Sequence, residues 1–243
     1  LSSFLLVFCR ALCRPFRCSP SRFLCRRGDA ILFLLSIIRG VFSKKMCKFA
    51  FEQNQKKETM AKVYEFLADG FEEVEGLGPV DVLRRGGVDI KTVSVTGSEM
   101  VSTSHGVTVK ADLLFEDVDF ADADLLMMPG GLPGSTTLDA HEGLHRVLNA
   151  HNEAGKLIGA ICAAPMVLGR MGLLKGRRAT CYPGFDKYLE GAEYTSELVT
   201  VDGNFVTGKD PAATLPYSYK LLSLLAGEDK AHEVAEGMGF YWR

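Results

Sequence analysis

Cysteine is scarce in most of this 243-residue chain, because five of its seven cysteines fall within the first 59 residues. Only Cys162 and Cys181 lie in the remainder, and two cysteines on different predicted elements do not make a disulfide framework. We therefore expect a reducing compartment. The five early cysteines match no zinc-ligand spacing, and no histidine accompanies them.

The larger part of the chain, residues 60–243, has no excess of basic residues. The net charge of −2 divides into +9 for residues 1–59 and −11 for residues 60–243. A mildly acidic body offers no face for the phosphate backbone of nucleic acid. We therefore expect no nucleic-acid partner.

The early residues also lack an apolar run that is long enough for a membrane. The apolar stretch at residues 30–38 is far shorter than the ~20 residues that span a bilayer, so we expect no membrane partner. We predict that residues 1–59 are an extension outside the fold. We favour the interpretation that these residues are a translated untranslated region. The protein would then start at Met60 or Met46 and be cytoplasmic. A mitochondrial or plastid transit peptide and a signal sequence stay open.

What the chain does have is a regular alternation of apolar strands and amphipathic helices over residues 60–243. A strand at residues 61–67, a helix that ends at Gly86 and Gly87, and a strand at residues 89–95 form a βαβ unit, which implies a parallel sheet. Further strands are predicted at residues 124–128, 157–161 and 177–180, and β-hairpins around residues 104–106 and 202–203. Further helices are predicted near residues 144–155, 165–168, 212–226 and 228–236. We predict one doubly wound, mostly parallel α/β domain that binds ligands at the carboxyl edge of its sheet.

Residues 159–165 are the strongest candidate for a functional site. A buried strand ends at Cys162, small residues follow, and Pro165 opens a helix. This turn resembles a nucleophile elbow, with the side chain exposed above the sheet and backbone N–H groups beside it. The helix N-terminus favours the thiolate. On spacing alone, a buried structural cysteine is an equally good interpretation.

Two other strand ends should meet Cys162 at the same edge of the sheet. The turn at residues 129–131 brings glycines, which let the backbone approach a ligand, and the N–H groups of Gly131 and Ala163 would then face a developing oxyanion. An ordinary tight turn explains the glycines as well. Glu75 belongs to an acidic run that opens the first helix. Such acids complement the helix dipole, or one protonated carboxyl faces the cysteine.

One motif points to a metal instead. Residues 141–145 read His-Glu-Gly-Leu-His, and H-E-x-x-H on a helix places two imidazoles on one face for zinc. A catalytic zinc site needs a third ligand and a cleft, and Gly143 weakens the helix. We therefore interpret His141 and His145 as surface histidines and predict neither a metal nor a cofactor.

Residues 60–243 resemble the ThiJ/PfpI superfamily, in the clade of the Parkinsonism-associated protein deglycase and the bacterial ThiJ-like proteins. The resemblance rests on motifs in the family order, at residues 68–75, 79–87, 126–131, 160–165 and 230–235. It implies a flavodoxin-like sandwich with helices on both faces of the sheet, and usually a homodimer. It also implies that Cys162 is the reactive, oxidisable cysteine and that Glu75 is the carboxyl hydrogen-bonded to it.

The chain departs from the family pattern in three places. Tyr182 stands where the clade often has a histidine near the cysteine, His105 matches a common arginine, and residues 210–214 replace a Gly-Pro-Gly-Thr turn. This leaves Cys162 with Glu75 as the dyad. We expect the substrate to contact Gly130, His105 and Tyr182.

Two related activities are disfavoured by the same comparison. Ala163 follows the cysteine at the position where the proteases of the superfamily carry a histidine. The only histidine after Cys162 is His232, and Glu233 follows it directly, so the His-x-Glu of glutamine amidotransferases is missing.

These features predict a cysteine-dependent enzyme that converts small 2-oxoaldehydes to 2-hydroxy acids without glutathione, or that acts on glycated amines, with a role in oxidative stress. Cys162 would be the nucleophile, Glu75 the general acid and base, and Gly131 and Ala163 the oxyanion donors. The alternative is a redox-sensing, chaperone-like protein whose cysteine oxidises to a sulfinate with little turnover.

Overall fold

The computed structural model describes residues 60–241. The predicted extension, residues 1–59, lies outside the described residues, so that interpretation stays a prediction. In chain order the elements are β1 (Lys62–Leu67), α1 (Glu73–Arg85), β2 (Asp89–Ser94), β3 (Met100–Ser102), β4 (Thr108–Lys110), β5 (Leu113–Leu114), β6 (Leu125–Met128), α2 (Gly134–Ala140), α3 (Glu142–Glu153), β7 (Leu157–Ile161), α4 (Pro165–Arg170), β8 (Arg178–Ala179), β9 (Glu193–Tyr194), β10 (Val199–Asp202), β11 (Phe205–Gly208), α5 (Thr214–Ala226) and α6 (Glu228–Gly237).

The central sheet has seven strands in the order β10-β11-β7-β6-β1-β2-β5. All neighbours are parallel except β10, which pairs antiparallel with β11. The predicted doubly wound, mostly parallel sheet of the flavodoxin-like type is therefore confirmed. The central strands β6 and β7 are almost wholly apolar because helices cover both faces of the sheet.

Each face of the sheet has its own core. The helices α1, α5 and α6 pack on one face, where the buried side chains include Val63, Leu83, Leu125, Met127, Tyr217 and Leu221. The helices α2, α3 and α4 pack on the other face, around Phe66, Phe120, Leu126, Leu144 and Val167. Across residues 60–241, the helices do not combine the length and the apolar character that crossing a bilayer requires.

Four elements differ from the sequence-based prediction, and two of them are the short strands β5 and β9, which were not predicted. The strand predicted at residues 177–180 is only Arg178–Ala179, and it pairs with β9 in a separate two-stranded sheet. Arg177 and Arg178 in the predicted range make it unsuitable for the interior of the central sheet. The helix α2 was not predicted, because the residues 134–140 begin with glycine and carry little apolar periodicity.

Candidate active site

The turn after β7 holds Cys162 in a conformation that few residues other than glycine adopt, with a φ of 63°. Two backbone hydrogen bonds fix it: the N–H of Cys162 donates to the carbonyl of Gly208 (2.9 Å), and its own carbonyl accepts from the N–H of Tyr182 (2.8 Å). Unfavourable backbone angles of this kind persist where the surroundings enforce them, as at catalytic turns. The structure thus has the sharp strand-to-helix turn that the sequence predicts.

The Cys162 side chain is nearly enclosed, with 8% of its surface exposed. The prediction of a side chain exposed above the sheet is therefore wrong. The turn after β6 closes over it: a Cβ built on Gly130 would lie 2.7 Å from the Cβ of Cys162 and 2.6 Å from Oε2 of Glu75. Only a glycine at position 130 permits this approach.

Glu75 lies in the first turn of α1 and is fully buried. Its Oε2 accepts a hydrogen bond from the N–H of Gly130 (3.0 Å). Burial raises the pKa of Glu75 to about 7, against the opposing effects of its contact with Cys162 and of the Gly130 N–H. Near neutral pH this carboxyl is therefore ready both to give and to take a proton.

The three glutamates at the start of α1 have separate roles. Glu72 caps the helix by accepting the N–H of Glu75 (2.8 Å). The carboxylate of Glu73 contacts Nδ1 of His105 (3.0 Å). Only Glu75 faces the cysteine, so the helix-dipole explanation and the functional one both apply, to different residues of the run.

Burial raises the pKa of the Cys162 thiol, and the charge of Glu75 raises it further, whereas the N–H groups of Ala163 and Gly131 lower it. The helix N-terminus, which we expected to favour the thiolate, does not outweigh burial, because α4 has only six residues and the sulfur is desolvated. When Glu75 carries the proton, its charge no longer opposes the thiolate. Cys162 and Glu75 therefore titrate as a pair that shares one proton.

The remaining predicted residues occupy different positions around this pair. The N–H groups of Gly131 and Ala163 lie beside the sulfur, and the φ of 91° at Gly131 requires glycine. Tyr182 is next to the elbow through its backbone, and its ring is 44% exposed and contacts Phe185 edge-on. His105 is on the β3–β4 turn and contacts Glu73 rather than Glu75. It therefore belongs to the rim of the site.

The H-E-x-x-H residues do not form a metal-binding arrangement. Nδ1 of His141 caps α3 by accepting the N–H of Leu144 (2.9 Å). Among residues 60–241, the one group of potential ligands that lie together is Glu72, Glu73 and His105. The helix cap and the Glu73–His105 contact account for that group.

Sequence reasoning missed two residues, at and just after the end of β11, that affect Cys162 and Glu75. The carbonyl of Gly208 fixes the elbow, and the charge of Asp210 contributes to the raised pKa of Glu75. The departure of residues 210–214 from the family turn was the available signal, but it did not indicate a contact with Glu75.

Fold and site together define a class: doubly wound α/β proteins in which a cysteine elbow faces a buried glutamic acid. The sequence profile described as the DJ-1/PfpI family matches residues 61–224. The chain belongs to the DJ-1/PfpI family, as its motifs indicated.

The relatives bear this out. The chain is similar to protein DJ-1 homolog B of Arabidopsis thaliana, at 40% identity over 70% of this chain and 39% of the plant protein. It is also similar to a deglycase of Pyrococcus abyssi, at 33% identity over 65% of this chain and 95% of the relative. A solved structure of Toxoplasma gondii DJ-1, described as oxidized, superposes with a TM-score of 0.72 at 34% identity, over 75% of this chain and all of that chain. The match spans about two-fifths of the length of the Arabidopsis relatives.

Proposed function

We propose that this protein is a cysteine-dependent, glutathione-independent enzyme of the glyoxalase or deglycase type. The observation that carries the proposal is the contact of buried Glu75 with Cys162, between the N–H groups of Gly131 and Ala163. The name of the archaeal relative, a deglycase, supports the same class of chemistry.

The first chemical step uses the shared proton. The Cys162 thiolate adds to the aldehyde carbon of a 2-oxoaldehyde such as methylglyoxal, and the protonated Glu75 gives its proton to the resulting alkoxide, forming a hemithioacetal. The N–H groups of Gly131 and Ala163 stabilise the negative charge on oxygen as the bond forms. Glu75 is then a carboxylate.

The second step moves a proton between the two carbons. The Glu75 carboxylate removes the hydrogen from the carbon that bears sulfur, and in the resulting enediolate the hydroxyl proton of that carbon passes to the neighbouring oxygen. Glu75 then delivers the removed proton to the neighbouring carbon, which gives a thioester and leaves Glu75 a carboxylate. Water then hydrolyses the thioester, which releases lactate and restores the thiol. Overall, one methylglyoxal and one water give one lactate and one proton, and no oxidant or cofactor is consumed.

The surroundings of the cysteine favour small substrates. Two grooves of about 500 and 460 Å³ lie elsewhere on the described residues, and Cys162 and Glu75 line neither. Because only 8% of the surface of Cys162 is exposed, we expect a small aldehyde to reach the sulfur more readily than a bulky one. In a glycated amine the same thiolate would attack the hemiaminal carbon, the C–N bond would break, and the amine would leave with the proton of Glu75, which gives the same hemithioacetal.

The test is an assay of the full chain with methylglyoxal in the absence of glutathione. We expect stoichiometric conversion to lactate, and loss of that activity in Cys162→Ala. Unchanged lactate formation in Cys162→Ala would exclude the mechanism.

A redox-sensing role is the second candidate, and one observation favours it. The N–H groups of Gly131 and Ala163 and the protonated Glu75 are donors placed around one sulfur, where they can hold the oxygens of a sulfinate. A relative from Toxoplasma gondii has been solved in a form described as oxidized. Mass spectrometry after mild peroxide would show addition of two oxygens at Cys162 with little lactate formation if this role dominates.

We also propose a homodimer, supported by a group of exposed apolar side chains around the loop after β1. They are Val74, Leu77, Met100, Val107 and Leu132. The N–H of Gly70 donates to the Ser102 carbonyl (2.7 Å), which joins the β3–β4 hairpin, with Met100 and Val107, to that loop. Light scattering should give twice the mass of one chain, and Leu77→Glu should reduce the measured mass to that of one chain.

The cytoplasmic location stays a prediction that N-terminal sequencing of the mature protein tests.

A further inference from the structure

Two buried polar side chains near the site have no role in the chemistry above. Glu65 on β1 and Tyr217 on α5 are both fully buried, and neither the oxygens of Glu65 nor the hydroxyl of Tyr217 has a hydrogen-bond partner. Oε1 of Glu75, on the helix that packs against α5, also has none. Buried polar atoms are nearly always hydrogen-bonded, so this cluster calls for a physical explanation.

Two strand glycines make a slot for Tyr217. A Cβ on Gly159 of β7 would clash with the Tyr217 hydroxyl, and a Cβ on Gly208 of β11 would lie 3.1 Å from Cδ2 of its ring. Gly208 also accepts the N–H of Cys162. The slot therefore lies directly behind the nucleophile, and the chain is built to admit a tyrosine hydroxyl there.

The strand register brings Glu65 to the same face. Glu65 pairs with Met127, and Met127 pairs with Gly159, so the three residues form one row across β1, β6 and β7. Residues paired in this way direct their side chains to the same side of the sheet. The carboxyl of Glu65 and the hydroxyl over Gly159 are thus separated by a single strand.

Burial raises the pKa of Glu65 well above its usual range, against a weak opposing effect of Arg84 on α1. Both oxygens of Glu65 are buried without a hydrogen-bond partner, an environment that favours the uncharged acid, which carries an O–H donor. After burial, the charges of Glu65 and Glu75 are the causes that raise the pKa of Tyr217, which places its hydroxyl near both carboxyls. The other groups that face Glu75 are Cys162, Glu72 and Asp210.

We propose that Tyr217 and Glu65 are positioning residues that hold Glu75 from inside the fold. The O–H of Glu65 donates to the Tyr217 oxygen, and the Tyr217 O–H donates to Oε1 of Glu75, either after small rotations or through one internal water molecule. This inference rests on the proposed role of Glu75. A donor at Oε1 stabilises the ionised form of Glu75, so Tyr217 sets how the shared proton divides between Glu75 and Cys162.

The test measures the alkylation of Cys162 by iodoacetamide in the full chain as a function of pH, with peptide mass spectrometry that separates the Cys162 peptide from those of the other six cysteines. It needs no substrate, so it stays informative if the protein turns over no methylglyoxal. In Tyr217→Phe, Glu75 should hold the shared proton more tightly, so that alkylation at pH 7 becomes several-fold faster. Tyr219→Phe is the matched control, because that hydroxyl lies on the same helix and contacts the sulfur of Met238 instead.

Two variants of Glu65 separate a positioning role from packing. The amide of Glu65→Gln still donates to the Tyr217 oxygen, so its alkylation profile should stay within about twofold of that of the unmodified chain, whereas Glu65→Leu should follow Tyr217→Phe. The proposal is overturned if Tyr217→Phe and Glu65→Leu both match Tyr219→Phe.

Infrared spectroscopy at pH 7 gives an independent check that needs no variant of Tyr217. A protonated-carboxyl band should be present and should decrease in Glu65→Gln, and an unchanged spectrum would equally overturn the proposal.

Discussion

The elbow that carries Cys162 and the loop that carries Cys181 give the same side chain two different surroundings. Both cysteines are buried, with 8% and 0% of their surface exposed, and burial raises the pKa of both thiols, that of Cys181 to about 12. Around Cys162, however, backbone N–H groups oppose this effect, and Glu75 can take the proton. Near Cys181 the second cause is the charge of Asp186, which raises the pKa further. Burial is thus compatible with reactivity only where a partner can hold the proton.

The strongest test of this difference between the two cysteines is to replace each of them in turn. Cys162→Ala should lower the turnover of methylglyoxal by roughly 10⁵-fold or to below detection, because no other group can form the hemithioacetal. Cys181→Ala should retain most of the activity, since Cys181 packs among apolar side chains on the other face of the sheet. Lactate formation by the two variants is the measurement. Equal losses would show that the elbow confers no special reactivity.

Glu75→Gln tests the partner of Cys162 with both sulfurs in place. The amide keeps the shape and the burial but cannot exchange the proton, so turnover should fall by roughly 10² to 10⁴-fold. Asp81→Asn is a suitable control, because this carboxyl is on the same helix but is exposed and paired with Arg85. Similar activity in the two variants would remove Glu75 from the mechanism.

The pH dependence of stability gives a second test of Glu75. The folded-state pKa of Glu75, about 7, is above its unfolded value near 4.3. Its neutral form therefore stabilises the fold fully below about pH 4, and this contribution is lost as the pH rises towards 7 and beyond. Relative to Glu75→Gln, the unmodified chain should lose on the order of 3 kcal/mol of unfolding free energy over that range. Urea unfolding at several pH values measures this, and Cys181→Ala should follow the unmodified chain. Parallel curves for Glu75→Gln and the unmodified chain would mean that folding does not shift the pKa of Glu75.

The backbone around the elbow was largely predictable from the sequence. The strand ends at residues 67, 128 and 161 are marked by apolar runs that stop at small or turn-forming residues, and these local signals are strong. The degree of burial of Cys162 was not predictable, because it depends on how closely Gly130 approaches from another strand. For the same reason the sequence predicted a depressed pKa for this thiol where the structure has a raised one.

The choice among the three glutamates at the start of α1 shows the same limit. Helical spacing separates Glu72, Glu73 and Glu75 by one and three positions, but it does not tell which of them faces the sheet. The family resemblance pointed to Glu75, and the structure adds the contacts of the other two. The sequence analysis did not single out Glu65, the one acid in the apolar strand β1. The alternation of side chains along a strand could have shown that this acid lies on an inward-facing position.

The smallest effect that we predict comes from the turn that encloses Cys162 and has no counterpart at Cys181. In Gly130→Ala, the new methyl group would meet the nitrogen of Ala163 at 2.9 Å as well as the Cys162 and Glu75 side chains. Turnover should therefore fall by roughly tenfold, because the sulfur, the carboxyl and an N–H donor all shift by fractions of an ångström. Gly237→Ala is the control, since a Cβ there meets nothing within 4 Å and its backbone does not require glycine. That variant should keep full activity and gain a little stability from the better helix former. Full activity in Gly130→Ala would show that the close approach of this turn encloses Cys162 without positioning it, and would leave Glu75 and the backbone N–H groups as the difference between the two cysteines.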